Sequence, residues 1–319
     1  MDLTNIKING RYSMNNNSLF LYNGGSGISF KMQGKSFTVS IISHPNPGYF
    51  YIIIDRNLSN KIKVLSIGEN YTYSFYDDRP HLVDIVKANE CNDNALEIKD
   101  LSIQGTLLNY DHIYDKKVIV YGDSTISGYG ILEHTGQASI HNSDAVRNFM
   151  FSGLYEVNMD MDIFSAAGYG LAFSLYTCPQ NIGVYDFFEK VGVHKNISWD
   201  VKPCDLLIIS LGCNDNSLIQ EDPSNKEERI QEFERKYEAI IYAHILKNPY
   251  LKVLMIYGTL LEESAYYLYE QTYSYLKDLF KDIYIHKFNG DKSAIENHAY
   301  VDAHEQMKEE LKNVINEIL

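Results

Sequence analysis

The chain has 319 residues, more than one hydrophobic core usually spans, and its 45% apolar content can support two packed globular domains. Its formal net charge of −14 argues against a nucleic-acid partner, because phosphates require clusters of basic side chains. The charge excludes partners better than it identifies one, and a neutral sugar is compatible with it.

The first 110 residues are predicted to form a nearly all-β module. Runs rich in Ile, Val, Tyr and Phe recur between polar or glycine-containing turns, at 19–22, 28–32, 37–42, 49–55, 61–65, 71–75, 81–87 and 96–104. About eight short strands at this spacing are typical of a β-sandwich or jelly roll. We therefore expect a β-sandwich domain at 1–110 and a second domain at 111–319, with the boundary near Asn109-Tyr110-Asp111.

A nucleophile turn is predicted where the second domain begins. An apolar strand at 118–121 runs directly into Gly122-Asp123-Ser124. β-Branched residues suit a buried parallel strand, and Gly122 lets the backbone turn where a side chain would clash. Ser124 would then lie at the carboxyl end of a central strand, where open α/β sheets bind their ligands. Taken alone, Gly-Asp-Ser is also the ordinary composition of a structureless turn.

Helices and strands alternate through the rest of the chain. A helix is predicted at 224–246, with a Ser224-x-x-Glu227 capping pattern, and a Tyr-rich helix at 263–281. Apolar strands are predicted at 206–211, 251–257 and 283–288. This alternation predicts an α/β domain with a mostly parallel sheet.

Two further polar segments follow predicted strands or precede the last helix. The strand at 206–211 ends in Gly212-Cys213-Asn214-Asp215, which repeats the pattern of a buried strand followed by a polar turn. Near the end, His298 and His304 flank the start of a terminal helix with one apolar face. Ser, Asn and His thus occur in this order along the chain. Asp123 and Asp215 are predicted to hold their turns by bonds to nearby N–H groups.

This order and its flanking residues resemble the SGNH (GDSL-type) hydrolases, a superfamily of serine esterases with a flavodoxin-like three-layer α/β fold. The resemblance covers roughly 115–319. It implies that Ser124 is the nucleophile and that the backbone N–H of Ser124, the backbone N–H of Gly168 and the side-chain amide of Asn214 form the oxyanion hole. Losing one such donor typically costs on the order of 10²- to 10³-fold in rate.

The terminal segment resembles a narrower family. His298 to Met307 is similar to the His-Pro-x-x-x-x-His-x-x-Met run of carbohydrate esterase family 2, with Ala299 in place of the usual proline. The resemblance implies that His298 is the general base and that His304 is structural. The usual acid three residues before the base is absent, because Ile295 occupies that position. The third member of the catalytic group, the one that would orient the His298 ring, is therefore left open.

Three groups are alternatives for that third member: Glu296, Asp291 or a backbone carbonyl oxygen. His304 also stays a rival for the base, since Asp302 lies two residues before it. Asp302 has a structural interpretation as well, because Asp302 with Glu305 forms a capping-box pattern ahead of an apolar stripe. With that cap, His298 would lie in the loop before the helix and His304 in its first turn.

The likeness extends into the first domain. The segments 8–12, 51–55 and 81–87 resemble the amino-terminal jelly roll of carbohydrate esterase family 2. The resemblance implies a serine esterase that removes acetyl groups from sugar hydroxyls. An O-acyltransferase acting on a sugar, and a carbohydrate-binding protein with an inactive hydrolase module, stay open as alternatives. Trp199, the one tryptophan, has two interpretations, substrate contact and core packing, of which we favour packing.

The remaining sequence patterns concern membrane association, cellular location, cysteine chemistry and cofactors. The chain lacks an apolar run of 18 residues, so we expect neither a transmembrane helix nor a membrane partner. It also lacks a basic start followed by an apolar core, so we expect a cytoplasmic location. The cysteines at 91, 178, 204 and 213 lack metal-binding or C-x-x-C spacing and are interpreted as free thiols. No metal or other cofactor is expected. A homo-oligomer is compatible with the sequence.

Overall fold

The computed structural model describes residues 3–175, 181–260 and 262–319, and this part of the chain forms an antiparallel β-sandwich followed by a parallel-sheet α/β unit, as the sequence predicts. The sandwich strands are β1 (Ile6–Asn9), β2 (Tyr12–Asn15), β3 (Ser18–Leu21), β4 (Gly27–Pro45), β5 (Tyr49–Ile54), β6 (Ile62–Leu65), β7 (Asn70–Ser74), β8 (Pro80–Lys87) and β9 (Asn94–Leu108). The parallel strands are β10 (Lys117–Gly122), β11 (Asp160–Ser165), β12 (Leu206–Ser210), β13 (Lys252–Tyr257) and β14 (Ile283–Lys287). The helices are α1 (Ser124–Ser127), α2 (Phe149–Glu156), α3 (Cys213–Glu221), α4 (Lys226–Ile245), α5 (Tyr266–Leu276) and α6 (Val301–Ile318).

Two long strands organise the sandwich. Strand β4 pairs with β9 along most of its length, and different parts of β4 also pair with β1, β7 and β8. The sequence predicts two strands, at 28–32 and 37–42, where the structure has the single strand β4. Register shifts between Gly34 and Ser36 and between Ser40 and Ile41 let the strand bend without ending. The fully buried rings of Phe30, Phe37 and Phe50 fill the sandwich core.

The parallel sheet has the strand order β11-β10-β12-β13-β14. Alternate residues of each strand enter different cores: Val118 and Val120 pack with α2 and α6, whereas Ile119 and Tyr121 pack with α4 and α5. Burial on both faces explains the continuous apolar runs in the sequence. The order reverses between β10 and β12, and in such sheets ligands bind in the crevice at the carboxyl ends of the strands flanking this point.

The sandwich packs directly against the α/β unit. Tyr51, Ile53 and Val86 belong to the same buried cluster as α2 and α6. A second contact is polar: the buried guanidinium of Arg11 lies 3.3 Å from an Asp162 carboxylate oxygen and donates to the Tyr121 hydroxyl at 3.1 Å. Arg11 also donates to the carbonyls of two residues in the 186–190 segment, Phe188 and Lys190, both at 2.7 Å. The Arg11 charge is thus fully paired at the junction.

Two predicted helix caps are wrong. Helix α6 begins at Val301 with Tyr300 at its N-cap, so Asp302 lies inside the first turn and caps nothing. Helix α4 begins at Lys226 because the short 3₁₀ turn Pro223–Asn225 precedes it, and the Ser224 hydroxyl donates to Asp222 instead.

Other sequence predictions for the second unit agree with the structure or differ slightly. His298 lies in the loop before α6 and His304 in its first turn, as predicted. The Tyr-rich helix is shorter than predicted at both ends: a 3₁₀ turn at Glu263–Ala265 precedes α5, and α5 ends at Leu276. Cys91, Cys204 and Cys213 are free thiols, whereas Cys178 lies outside the described residues. Within the described ranges no helix has the length and apolar character needed to cross a membrane.

Candidate active site

Ser124 is presented by a tight turn after β10. The Asp123 carboxylate accepts the Thr125 N–H at 2.9 Å, which caps α1 and holds the turn as predicted. Burial raises the pKa of Asp123 to about 7. Gly122 is required by close packing, because a Cβ there would lie 2.4 Å from the Cβ of Ile126. Ser124 begins α1, so its backbone N–H has no acceptor within the helix and is available to a ligand.

His298 contacts Ser124. Its Nε2 lies 2.7 Å from the Ser124 Oγ, and its Nδ1 lies 3.0 Å from the carbonyl oxygen of Ile295. A carbonyl can only accept, so Nδ1 carries the proton of the neutral ring and Nε2 is left as an acceptor. This is the tautomer that a general base needs in order to take the serine proton.

The Ile295 carbonyl, rather than an acidic side chain, orients the imidazole. The Glu296 carboxylate accepts from the Tyr129 hydroxyl at 3.3 Å and bonds no atom of the His298 ring. Asp291 accepts the N–H groups of Ser293 and Tyr300, which fixes the loop before α6. Of the three alternatives predicted from the sequence, the structure therefore brings only a backbone carbonyl to Nδ1.

Burial lowers the pKa of His298 from its ordinary value of 6.5, while the bond to Ile295 and the charge of Glu296 oppose this shift. The neutral base is the reactive form, so kcat/KM should fall as the pH decreases through a pKa below 6.5.

We expect Glu296→Gln to move this acid limb to still lower pH, because the variant removes a charge that favours the imidazolium. Plateau kcat should stay within about threefold of wild type, whereas an acid that orients the base contributes on the order of 10⁴-fold. A pH profile of kcat and kcat/KM measures both quantities. A large loss of plateau kcat would make Glu296 the third member after all.

His304, the rival base, lies in the core. Its side chain is 1% exposed, its Nδ1 accepts the Phe149 N–H at 3.4 Å, and burial lowers its pKa to about 3. Within the described part of the chain, His304 forms no hydrogen bond with Ser124. A structural role for His304 agrees with these contacts.

Gly168 and Asn214 lie beside Ser124. Gly168 follows β11 with a φ of +79°, a conformation that favours glycine. Asn214 is in the first turn of α3, and its side-chain amide donates to the Tyr169 carbonyl at 3.1 Å. An amide NH₂ has two hydrogens, so this bond fixes the group and leaves the second hydrogen for a ligand. Ser124, Gly168 and Asn214 line one pocket.

Asp215 joins the two sides of that pocket. Its fully buried carboxylate accepts three backbone N–H groups, from Leu171, Ala172 and Phe173, at 2.7 to 2.9 Å. These bonds tie the loop after Gly168 to the helix that carries Asn214, which is the turn-holding role predicted for Asp215. Burial nevertheless raises the Asp215 pKa to about 6.

The pocket has a volume of about 620 Å³ and is open to solvent on one side. Sequence reasoning missed several of its lining residues, because they come from loops with no distinctive local pattern; these are Glu90, Tyr129, Leu175, Leu260, Glu262 and Lys292. Lys292 lies 3.5 Å from Glu262, whereas no described cation pairs with Glu296. The wall is thus more anionic than cationic. Within the described ranges, no three His, Cys, Asp or Glu side chains are grouped so that they could hold a metal ion.

Trp199 is not part of this pocket. Its ring packs edge-on against Tyr12, with 5.5 Å between ring centroids, and it lines a separate pocket with Lys117 and Asp160. Lys117 and Asp160 are the first residues of β10 and β11, so Trp199 lies at the amino ends of the strands, opposite Ser124. The structure therefore brings Trp199 into a packing contact with the sandwich and not towards Ser124.

A five-stranded parallel sheet of this order, with Ser124 and His298 in contact at its switch point, has the fold of the SGNH-type α/β class. Residues 8–110 match the family model described as Carbohydrate esterase 2 N-terminal, so the resemblance predicted from the sequence is confirmed and the sandwich is of this family's type. No curated protein sequence matches the chain.

Solved structures share the architecture over the whole chain. A family two carbohydrate esterase from Clostridium thermocellum in complex with cellohexaose has a TM-score of 0.82 at 18% identity, covering 98% of each chain. An acetyl xylan esterase from the rumen bacterium Butyrivibrio proteoclasticus has a TM-score of 0.84 at 17% identity, covering 99% of this chain and 96% of that one. A salicylyl acyltransferase from a tetracycline biosynthetic pathway has a TM-score of 0.66 at 10% identity, covering 98% and 94%. At these identities the likeness establishes the fold.

Proposed function

We propose that this protein is a serine esterase that removes acetyl groups from the hydroxyls of oligo- or polysaccharides. The observation that carries the proposal is the 2.7 Å contact between Ser124 Oγ and His298 Nε2, with the opposite ring nitrogen fixed by the Ile295 carbonyl. This arrangement activates a hydroxyl as a nucleophile at neutral pH without requiring a third side chain.

In the proposed mechanism, His298 takes the proton from Ser124 as the serine oxygen attacks the ester carbonyl. The negative oxygen of the tetrahedral intermediate accepts bonds from the N–H groups of Ser124 and Gly168 and from the Asn214 amide. His298 then gives its proton to the departing sugar hydroxyl, which leaves an acetyl-serine. Water, deprotonated by His298, attacks this ester. As the bond between the acyl carbon and the serine oxygen breaks, His298 returns the proton to Ser124, and the released acetic acid ionises to acetate. In this mechanism the protein supplies the first nucleophile, the base and the oxyanion donors, and solvent supplies the water for deacylation.

A saccharide substrate is supported by two observations. The sandwich matches the amino-terminal model of carbohydrate esterase family 2, and the Clostridium thermocellum structure of similar fold contains cellohexaose. The excess of carboxylates in the pocket wall favours a neutral sugar over one that carries its own carboxylate, because like charges repel at this range. We therefore propose acetylated neutral saccharides as substrates.

Acyl transfer to a second alcohol is the competing proposal, favoured by the similar fold of the salicylyl acyltransferase. The Ser124–His298 pair can deliver an acyl group to a sugar as well as to water. Acceptor competition separates the two functions: a hydrolase releases acetate at a rate that added oligosaccharide leaves unchanged. A transferase forms acetylated oligosaccharide at the expense of acetate.

Hydrolysis of p-nitrophenyl acetate, butyrate and octanoate by the wild type and Ser124→Ala tests the proposal. We expect turnover that falls with acyl length and is lost on replacing Ser124, by on the order of 10⁴-fold or more. A folded wild type that cleaves neither these esters nor acetylated oligosaccharides would contradict an esterase. Retained binding of cello- or xylo-oligosaccharides in that case would instead support a carbohydrate-binding protein with an inactive hydrolase module.

A further inference from the structure

One wall of the catalytic pocket comes from the sandwich. Glu90 lies in the turn between β8 and β9, and among the described lining residues it is the one that the amino-terminal part of the chain contributes. Its side chain is only 5% exposed. A carboxylate buried this deeply is costly unless hydrogen bonds compensate for the lost water.

The Glu90 carboxylate bonds the backbone next to the oxyanion hole. Its Oε2 accepts the Ala167 N–H at 2.7 Å, a short charge-assisted bond. Ala167 directly precedes Gly168, whose carbonyl accepts the Leu175 N–H at 3.1 Å. The two peptide groups that flank the one carrying the Gly168 N–H are therefore fixed, the first by a side chain of the sandwich and the second by its own loop.

The turn that carries Glu90 is itself fixed. The fully buried ammonium of Lys87 donates to the carbonyls of Asn89 and Glu90, at 2.5 and 2.9 Å. The Asn89 side chain accepts the Tyr49 N–H at 2.6 Å and donates to the Ile140 carbonyl at 3.0 Å. A rigid turn of this kind lets Glu90 act as a fixed acceptor for Ala167.

We propose that Glu90 is a positioning residue for the proposed esterase reaction: it holds the peptide between Ala167 and Gly168 so that the Gly168 N–H faces the oxyanion. This inference rests on the proposed function, since it concerns the same oxyanion hole. Burial and the nearby Asp93 raise the Glu90 pKa to about 7, while the Ala167 N–H and Lys87 favour its charged form. Glu90 acts through the backbone and takes no part in the proton transfers.

Two conservative variants test the role. Glu90→Asp keeps the charge but withdraws the carboxylate by about one C–C bond length, roughly 1.5 Å, which breaks the bond to Ala167. Glu90→Gln keeps the length and an acceptor oxygen but removes the charge. With p-nitrophenyl acetate we expect Glu90→Asp to lower kcat by about 10- to 100-fold, part of the effect of losing a whole donor, with KM within about twofold. Glu90→Gln should keep at least about half of kcat.

Three other kinetic results would overturn the proposal. Wild-type kcat in Glu90→Asp would show that the bond to Ala167 is not needed, and equal losses in both variants would assign the effect to charge. A rise in KM alone would make Glu90 a substrate contact. Circular dichroism and melting temperature establish that each variant is folded.

A second measurement separates this proposal from the proposed function. Labelling of Ser124 by a fluorophosphonate needs the nucleophile and an oxyanion hole but no sugar ester. If the wild type cleaves no ester yet is labelled, the substrate assignment fails, and slower labelling of Glu90→Asp than of Glu90→Gln still supports positioning. Equal labelling rates in the two variants would overturn it, and an unlabelled wild type would overturn both proposals.

Discussion

Replacing His298 by alanine is expected to lower kcat for p-nitrophenyl acetate by about 10⁴- to 10⁶-fold, the range in which removal of a serine enzyme's base falls. The physical reason is that His298 Nε2 is the acceptor bonded to the Ser124 hydroxyl, at 2.7 Å. Without it the serine must lose its proton to water. Steady-state kinetics, with burst experiments to separate acylation from deacylation, measure the effect.

The control for this prediction is His304→Gln. His304 belongs to the same segment but faces Phe149 in the core, so we expect kcat within about threefold of wild type and a lower melting temperature, in line with the roughly 1–3 kcal/mol that disturbing a buried hydrogen bond costs. Full activity in His298→Ala, together with loss in a folded His304→Gln, would show that the base has been assigned to the wrong histidine.

Replacing Asn214 by alanine is expected to lower kcat by about 10²- to 10³-fold with a small change in KM. The side-chain amide is held by the Tyr169 carbonyl at 3.1 Å, so its second hydrogen is preorganised for the charge that develops in the transition state. A donor used only at that stage affects kcat more than substrate binding. The effect is measured with p-nitrophenyl acetate at saturating concentration.

Gln220→Ala is the matched control for Asn214, because it removes an amide from the exposed end of the same helix, α3. Its kcat should equal that of the wild type. If Asn214→Ala raised KM and left kcat unchanged, Asn214 would contact the ground-state substrate and the oxyanion would depend on backbone donors alone.

Sequence patterns located Ser124, Asn214 and His298 because each lies next to a recognisable local feature. Ser124 and Asn214 come directly after buried strands, and the carboxyl ends of parallel strands meet at one edge of the sheet. His298 precedes a strongly amphipathic helix. Such features depend on neighbouring residues, which the sequence displays directly.

The sequence left the partner of His298 Nδ1 open among Glu296, Asp291 and a backbone carbonyl, and it could not single out Ile295. A carbonyl is present in every residue, so nothing in the side chain of Ile295 reveals its role. The nearby acid Glu296 instead adopts a φ of +52°, and its carboxylate bonds Tyr129. Here the backbone conformation, and not the residue type, distinguishes among the three alternatives that the sequence left open.

Local sequence patterns also could not predict contacts between distant parts of the chain. Glu90 reaches Ala167 across 77 positions and from a different sheet, which depends on how the sandwich packs. Trp199 shows the converse: it is close in sequence to Asn214, but it precedes strand β12 whereas Asn214 follows it. Residues on the two sides of one strand lie at opposite edges of the sheet, so closeness in sequence does not imply a shared site.

The buried Arg11 has a consequence for how chains of this architecture can be rearranged. Its guanidinium bonds Asp162 and the carbonyls of Phe188 and Lys190, so an α/β unit separated from the sandwich would lose all three of these partners' bonds at once. A chimera that joins this α/β unit to another sandwich would face the same loss unless the new partner offered an arginine in the same place. Engineering at this junction therefore has to preserve or replace a single side chain among the first dozen residues.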